Sequence, residues 1–347
     1  MNVDYLIVGQ GIAGSLLALE LEREGSSVMV LNEEKPNTSS NKAAGIYNPI
    51  TGRKMVKTWL ADELFTGLEA YYKGLENQLS SKFLYPKPIY RPFFDFEEQN
   101  DWSVKATEAG YAGYVKWVSA KSMGNPEIQD PVGGLMLKKS GFVNLPVMLA
   151  KIRKHLVDRG SYQPGLFSFE DLTVGSSKVT YRDIEAEKII FCEGPDATSN
   201  PYWQDLPFKL VKGEILEIAC DLSEEMILNR SVFVLPKNET FHVGSTYDHQ
   251  NLDYKPTEKG IKNLQDRLHK VFKGNYTIVN SSAGVRPATY DRRPFIGTHP
   301  DFYNVAIFNG FGTKGVSLVP YFAHHFVNYL AGRDPLMPEV DIKRVRQ

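Results

Sequence analysis

Six residues near the N-terminus, Gly9-Gln10-Gly11-Ile12-Ala13-Gly14, place three glycines between an apolar run, Val3-Asp4-Tyr5-Leu6-Ile7-Val8, and a helical pattern from Ser15 to Glu24. A strand, a glycine-rich turn and a helix in this order suit a dinucleotide. Gly9 permits the tight turn, Gly11 lets backbone approach the phosphates, and Gly14 lets helix lie close to strand. The pyrophosphate then sits on the helix N-terminus, at Ile12 and Ala13, where unpaired N–H groups and the positive dipole end favour an anion. A second strand, Val28-Met29-Val30-Leu31, follows the turn Glu24-Gly25-Ser26 and ends in Asn32-Glu33-Glu34. Glu33 lies nineteen residues beyond Gly14, near the spacing at which a carboxylate meets ribose hydroxyls.

With 347 residues the chain has room for two domains. A net charge of −1 with Lys and Arg spread along the chain does not point to nucleic acid as the main partner. Cys192 and Cys220 form no CxxC motif, and each is expected as a thiol. A strand starting at Val3 leaves no room for a signal peptide, and no run of 18 apolar residues suggests a membrane span, so a cytoplasmic setting is expected.

Strand and helix patterns alternate at both ends of the chain, whereas Tyr85 to Phe93 and Val211 to Tyr247 read as consecutive strands and turns. Leu145 to Arg159 has helical spacing, Ala186 to Gly194 is a buried strand ending in glycine, and Thr257 to Lys273 is a polar amphipathic helix. The expected class is α/β, with a discontinuous nucleotide domain from residues 1–80, 140–205 and 275–347 around a parallel sheet. Residues 81–139 and 206–274 would build a second, α+β domain on an antiparallel sheet.

A second strand, glycine-rich turn and helix follows near the C-terminus: Val305-Ala306-Ile307-Phe308, then Asn309-Gly310-Phe311-Gly312-Thr313-Lys314-Gly315, then an apolar helix from Val316 to Leu330. Its helix start could hold an electron-rich ring edge as the first holds phosphate. Arg286, between Gly284-Val285 and Pro287, could be aimed by a rigid backbone at a carboxylate. His324 and His325, adjacent on a helix, point in different directions, so no metal site is expected.

Together Gly9 to Gly14, the segment Ser40-Asn41-Lys42-Ala43-Ala44-Gly45, Lys212-Gly213, Gly244-Ser245-Thr246, Gly284-Val285-Arg286-Pro287 and Gly310 to Gly315 resemble the D-amino acid oxidase superfamily of FAD-dependent oxidoreductases, which includes glycine and sarcosine oxidases. The resemblance implies a Rossmann-like FAD-binding domain and a substrate domain. It implies that Ser40, Lys42, Ala43, Ala44 and Gly45 pass beside the flavin, and that Gly194 belongs to the cofactor site. Gly310, Gly312, Thr313, Lys314, Gly315 and Val316 would bind the flavin pyrimidine edge, and Arg286 would hold a substrate carboxylate. Ala44-Gly45-Ile46-Tyr47-Asn48-Pro49 is also similar to the flavin half of the bacterial bifunctional wobble-uridine-modifying enzyme.

Two positions depart from the family pattern. Asn32 stands where the ribose-binding acid is usual, with Glu33 next to it, and either could bond the hydroxyls. Phe233 stands near the position of a tyrosine that helps grip the carboxylate, and it cannot donate that hydrogen bond. The resemblance implies oxidation of a C–N bond in an amino acid or amine by hydride transfer to flavin N5. Non-covalently bound FAD would be the cofactor, and oxygen or an electron-transfer partner the acceptor. Arg286, Phe233 and Tyr247 are the candidate substrate contacts, and Lys314 gives electrostatic support. His242 and Tyr290 are further candidates for proton transfer. The alternatives are a dehydrogenase or oxidase of a modified tRNA nucleotide or other bulky amine, with a basic patch of Arg53, Lys54 and Lys57, and a non-catalytic FAD-binding protein.

Overall fold

Asn2–Val8 runs through the middle of the first sheet because its apolar residues are covered on both faces. It pairs in parallel with Val28–Asn32 on one side and with Ile184–Phe191 on the other. Tyr162–Pro164 extends the parallel set beyond Val28–Asn32, and Val305–Asn309 extends it beyond Ile184–Phe191. Val8 stands level with both Leu31 and Phe191. The strands therefore end in one row, from which Gly9, Asn32 and Cys192 all leave. These relationships come from a computed structural model that describes residues 1–52 and 54–345. Arg53, grouped above with Lys54 and Lys57, lies outside the described residues.

Alternation along the strands builds two cores, one on each face. Ile7, Val28, Val30, Ile190, Ala306 and Phe308 pack with the helices Ile12–Arg23, Leu145–Asp158 and Gly315–Leu330. Leu6, Val8, Met29, Leu31, Ile189 and Phe191 pack on the other side with Tyr181, Trp203 and Ile342. A helix not anticipated from the sequence, Ala61–Gln78, buries Leu64, Phe65, Leu68, Tyr72 and Leu75, a spacing that the 3.6-residue period accounts for. Its Tyr72 hydroxyl donates to the Val316 carbonyl at 2.8 Å and so braces the start of the helix Gly315–Leu330.

The second sheet also has eight strands. In spatial order they are Tyr276–Arg286, Val211–Cys220, Thr240–Gly244, Val232–Lys237, Ile227–Arg230, Ile89–Pro92, Gly134–Leu137 and Val115–Ser119. Every pairing is antiparallel except that of Ile227–Arg230 with Ile89–Pro92. One face packs Leu216, Ile218, Val234 and Val243 against Leu264 and Leu268 of the amphipathic helix Glu258–Leu268. The start of this helix is capped by Thr257, whose hydroxyl accepts from the Gly260 N–H at 3.0 Å.

One strand pairs in the second sheet although its segment was grouped with the nucleotide domain. Residues 275–347 were assigned to the nucleotide domain, but Tyr276–Arg286 pairs along the whole of Val211–Cys220 in the second sheet. A strand of 11 residues needs a partner of similar length, and in this fold Val211–Cys220, at 10 residues, provides it. Strand register then decides which side chains of this sheet face the first. Val211, Gly213, Ile215, Phe233, Gly284 and Arg286 do so and border the space between the two sheets.

Candidate active site

A cavity of about 1780 Å³ extends from the first glycine-rich turn to the face of the second sheet. Pockets for small molecules commonly hold 300–1,000 Å³, so this one has room for a dinucleotide and a substrate together.

At its nucleotide end, Gly9 has φ +101°, and a β-carbon there would lie 2.6 Å from the Cys192 carbonyl oxygen. A β-carbon at Gly14 would lie 1.9 Å from the Gly9 oxygen, so only glycine lets the helix Ile12–Arg23 approach the strand end this closely. No acidic residue occupies the first turn of that helix and no side chain caps it. Gly11 and Ala13 border the cavity, and the Ile12 N–H donates to Ser40 Oγ at 3.1 Å, joining the turn to the short helix Ser39–Lys42.

Asn32 and Glu33 both border the cavity but are engaged differently. Asn32 Oδ1 accepts the Gln10 N–H at 2.8 Å and Nδ2 donates to the Tyr162 hydroxyl at 3.3 Å, so its side chain fastens the turn to the sheet end. Glu33 forms an ion pair with Lys35 at 2.8 Å. A residue the sequence reading passed over, Glu193, lies beside Gly194 on the same wall. Burial pushes its carboxyl up to about 7, although Asn200 Nδ2 donates to it at 2.8 Å. The Gly194 carbonyl accepts from Asn309 Nδ2 at 2.9 Å, tying this wall to the second glycine-rich turn.

In the middle of the cavity the two remaining cofactor segments meet. Lys42, Ala43, Ala44 and Gly45 form one side, and Gly45 O accepts the Val143 N–H at 3.0 Å. Gly310, Gly312, Thr313, Lys314, Gly315 and Val316 form the other, leading into the helix Gly315–Leu330, whose N-terminus carries no side-chain cap and no acid. Lys314 Nζ donates to Thr51 Oγ1 at 3.1 Å and to Thr58 Oγ1 at 2.9 Å. Burial first, then the neighbouring charges of Arg292 and Arg293, lower its pKa to about 8.

Arg286 reaches the cavity by crossing the adjacent strand. Its Nη2 donates to Ser245 Oγ at 2.7 Å and its Nη1 to the Thr246 carbonyl at 3.5 Å, with the Tyr247 ring centroid 5.1 Å from Cζ. Thr246 is itself fixed: its hydroxyl accepts the Glu214 N–H at 2.8 Å and donates to Glu214 Oε2 at 3.1 Å. Burial lowers the Arg286 pKa, so a nearby anion is favoured. Phe233 lies opposite Gly244, with its ring tip against that glycine. Tyr247 also borders the cavity but is 64% exposed.

Not every candidate gathers here. His242 lies in a separate small cleft with Lys237 and Glu217, where burial and Lys237 lower its pKa to about 4. Tyr290 borders the cavity yet is 77% exposed. His324 pairs with Glu20, whereas His325 accepts from the Met337 N–H. The sequence reading also missed Arg91 and Arg230, both on the cavity wall and 7% and 4% exposed. The signal was present as a charged residue inside the otherwise apolar strand Ile89–Pro92.

Known proteins share this fold. Glycine oxidase from Pseudomonas aeruginosa is 22% identical over 97% of both chains. The bifunctional tRNA 5-methylaminomethyl-2-thiouridine biosynthesis protein MnmC of Legionella pneumophila is 23% identical over 85% of this chain, which spans only 46% of it. Among solved structures, iminodiacetate oxidase from Chelativorans superposes with a TM-score of 0.80 at 21% identity, covering 97% of this chain and 98% of that one. L-proline dehydrogenase from P. horikoshii gives 0.75 at 13% identity, with 97% and 95% covered. The close approaches that the glycines permit, the acid-free helix starts and the cavity size fit FAD. The profile of the DAO family, FAD dependent oxidoreductase, matches residues 4–329, and the chain belongs to that family, an oxidoreductase whose cofactor is FAD.

Proposed function

We infer that the protein oxidises the C–N bond of an amino acid or of a primary or secondary amine that carries a carboxylate. The observation that carries this reading is Arg286, half-buried and held on Ser245, in the same cavity as both glycine-rich turns. When bound, FAD supplies the hydride acceptor at its N5 atom. Gly9, Gly11, Gly14 and the first helix start would hold its pyrophosphate. Because the Asn32 carbonyl is already occupied by Gln10, Glu33 is assigned to the adenosine ribose. Ser40 to Gly45 and Gly310 to Val316 would hold the ring.

Arg286 binds the carboxylate through a planar fork and so fixes the carbon next to nitrogen, which is an orientation effect. Phe233 and Gly244 supply an apolar wall beside it and exclude water. Lys314 adds positive charge near the ring site. No side chain is required as a base if the amine arrives neutral. We assign residues 1–80, 140–205 and the chain after Arg286 to the FAD-binding domain, and 81–139 with 206–286 to the substrate domain.

A bulkier amine is a second reading, favoured by the exposed Tyr247 and Tyr290 rings on the cavity wall, which could stack against a base. The deciding experiment is the visible spectrum of FAD-reconstituted protein under anaerobic conditions as glycine, sarcosine, D-amino acids, proline and simple amines are added. Bleaching by a carboxylated amine is expected, and re-admitting air separates oxygen from another acceptor. A flavin spectrum that none of them bleaches would overturn the small-molecule reading in favour of the bulky one.

A further inference from the structure

Charge in the cavity is distributed unevenly. The acidic side chains on its wall, Glu33, Glu193 and Asp196, are at the nucleotide end, whereas the substrate end carries Arg91, Arg230, Arg267 and Arg286. These arginines are linked through backbone: Arg286 and Arg267 both bond Ser245, Arg267 also bonds the Ser231 carbonyl, and Arg230 precedes Ser231. Arg91 and Arg230 lie deeper than surface cations do, and each has a buried Nε with no hydrogen-bond partner among the described residues.

Their neutralisation is incomplete. Arg230 Nη1 donates to Glu98 Oε1 at 2.7 Å, while among the described residues the Arg91 guanidinium donates from Nη2 to the Gly52 carbonyl at 3.1 Å and pairs with no carboxylate. Glu98 is in turn engaged with the Phe94 N–H at 2.9 Å. Two buried guanidiniums thus share one carboxylate, and Arg230 acts on Arg91 to lower its pKa, to about 10, with burial as the larger cause. A buried cation without a paired acid is costly unless an anion completes it.

We propose that Arg91 and Arg230 form a second acid-binding site, so that the amine oxidised here carries two acidic groups, one on Arg286 beside the reacting carbon and a remote one on Arg91 and Arg230. This rests on the proposed C–N oxidation and names its substrate class. Strand order sets the span. From the strand that ends beside Ser245 to those of Arg230 and Arg91 is two to three strand spacings, roughly 10–14 Å of backbone, with both arginine side chains able to shorten it. The remote acid is therefore several bonds from the amine. A carboxylate and a phosphate share the planar or forked acceptor chemistry that guanidinium recognises.

The test is a series of N-(ω-carboxyalkyl)glycines with two to eight methylenes, each compared with its methyl-ended counterpart on the FAD-loaded enzyme, and a matching phosphonate-ended series. At least one acid is expected to exceed its neutral counterpart in kcat/KM by roughly 10- to 100-fold. Which series shows the larger ratio identifies the source of the remote anion. Arg91→Gln should collapse the acid-to-methyl ratio towards one and Arg91→Lys should keep part of it. The ratio is taken within one variant, so lowered folding yield does not move it. A readout without turnover is the flavin difference spectrum with pimelate against heptanoate, where the diacid should bind more tightly in the wild type only. If amines are oxidised but no acid exceeds its neutral counterpart, the second site is overturned and the function stands. If pimelate binds in an Arg91-dependent way but no amine is oxidised, the function is overturned and the site stands.

Discussion

Arg286 passes directly over Gly213: a β-carbon at position 213 would lie 1.8 Å from Nη2 and 2.3 Å from Cζ. The glycine is therefore part of how the arginine is aimed, since Gly213 and Gly284 pair across the two strands that carry it. Gly213→Ala should displace the guanidinium from Ser245. The expected result is a fall of about 10- to 100-fold in kcat/KM for carboxylated amines, the size of a charge-assisted hydrogen bond. FAD content measured from the visible spectrum should be unchanged, and equal activity with carboxylated substrates would contradict the aiming role.

Phe233 cannot simply be returned to tyrosine. The Gly244 β-carbon position is 2.6 Å from Phe233 Cζ, the atom that would carry the hydroxyl. Phe233→Tyr should overpack this contact and cost about 1–3 kcal/mol in stability by chemical denaturation, without improving KM for amino acids. A lower KM with unchanged stability would show that the ring has room to turn.

Lys314 is positioned to be a charge that titrates in the working range. Its ammonium is held by Thr51 and Thr58, and its pKa is lowered to about 8 by burial and then by Arg292 and Arg293. Anaerobic flavin reduction by a fixed amine should therefore change in a step centred near pH 8 that Lys314→Met lacks. The linkage to stability runs the same way. Between pH 8 and the usual lysine range the native state releases the proton first, so the burial penalty is relieved and stability rises with pH. A Tm that does not differ in slope between the wild type and Lys314→Met above pH 8 would oppose this.

Glu193 gives the opposite slope at lower pH. Its carboxyl is pushed up to about 7, above the ordinary glutamate value, chiefly by burial. Stability from the neutral form is fully present below the unfolded pKa and is lost as pH rises through about 7. Glu193→Gln keeps an oxygen for Asn200 to donate to and should flatten the fall in Tm between pH 5 and pH 7.5 in the FAD-free protein. A fall of the same size in the variant would place its origin elsewhere.

The nucleotide half of the fold was legible because its signals are local. Gly14 is fixed by its approach to Gly9 within one strand–turn–helix unit, and Gly9 has the positive φ of a tight turn, a glycine signal readable without knowing that Cys192 lies against it. Three helices expected from spacing form within a residue or two of their predicted starts, at Leu145, Glu258 and Gly315. The helix Ala61–Gln78 was readable from Leu64, Leu68 and Leu75 but lay outside any motif. The pairing of Tyr276–Arg286 was not legible for a different reason: its partner is some 60 residues earlier, and pairing over such a distance leaves no periodic trace. The same holds for Arg91 and Arg230, which parallel strand pairing brings together although no spacing rule connects them.

The order of strands in the first sheet also governs when the flavin site can exist. Val305–Asn309 pairs with Ile184–Phe191, which pairs with Asn2–Val8, so the last parallel strand is made some 300 residues after the first. During synthesis the first glycine turn is made long before the strand Val305–Asn309 and the helix Gly315–Leu330, which packs against the helix Ile12–Arg23. Cofactor capture is then a late event in maturation, and shortened chains lacking the segment from Val305 onward should emerge colourless and dependent on chaperones.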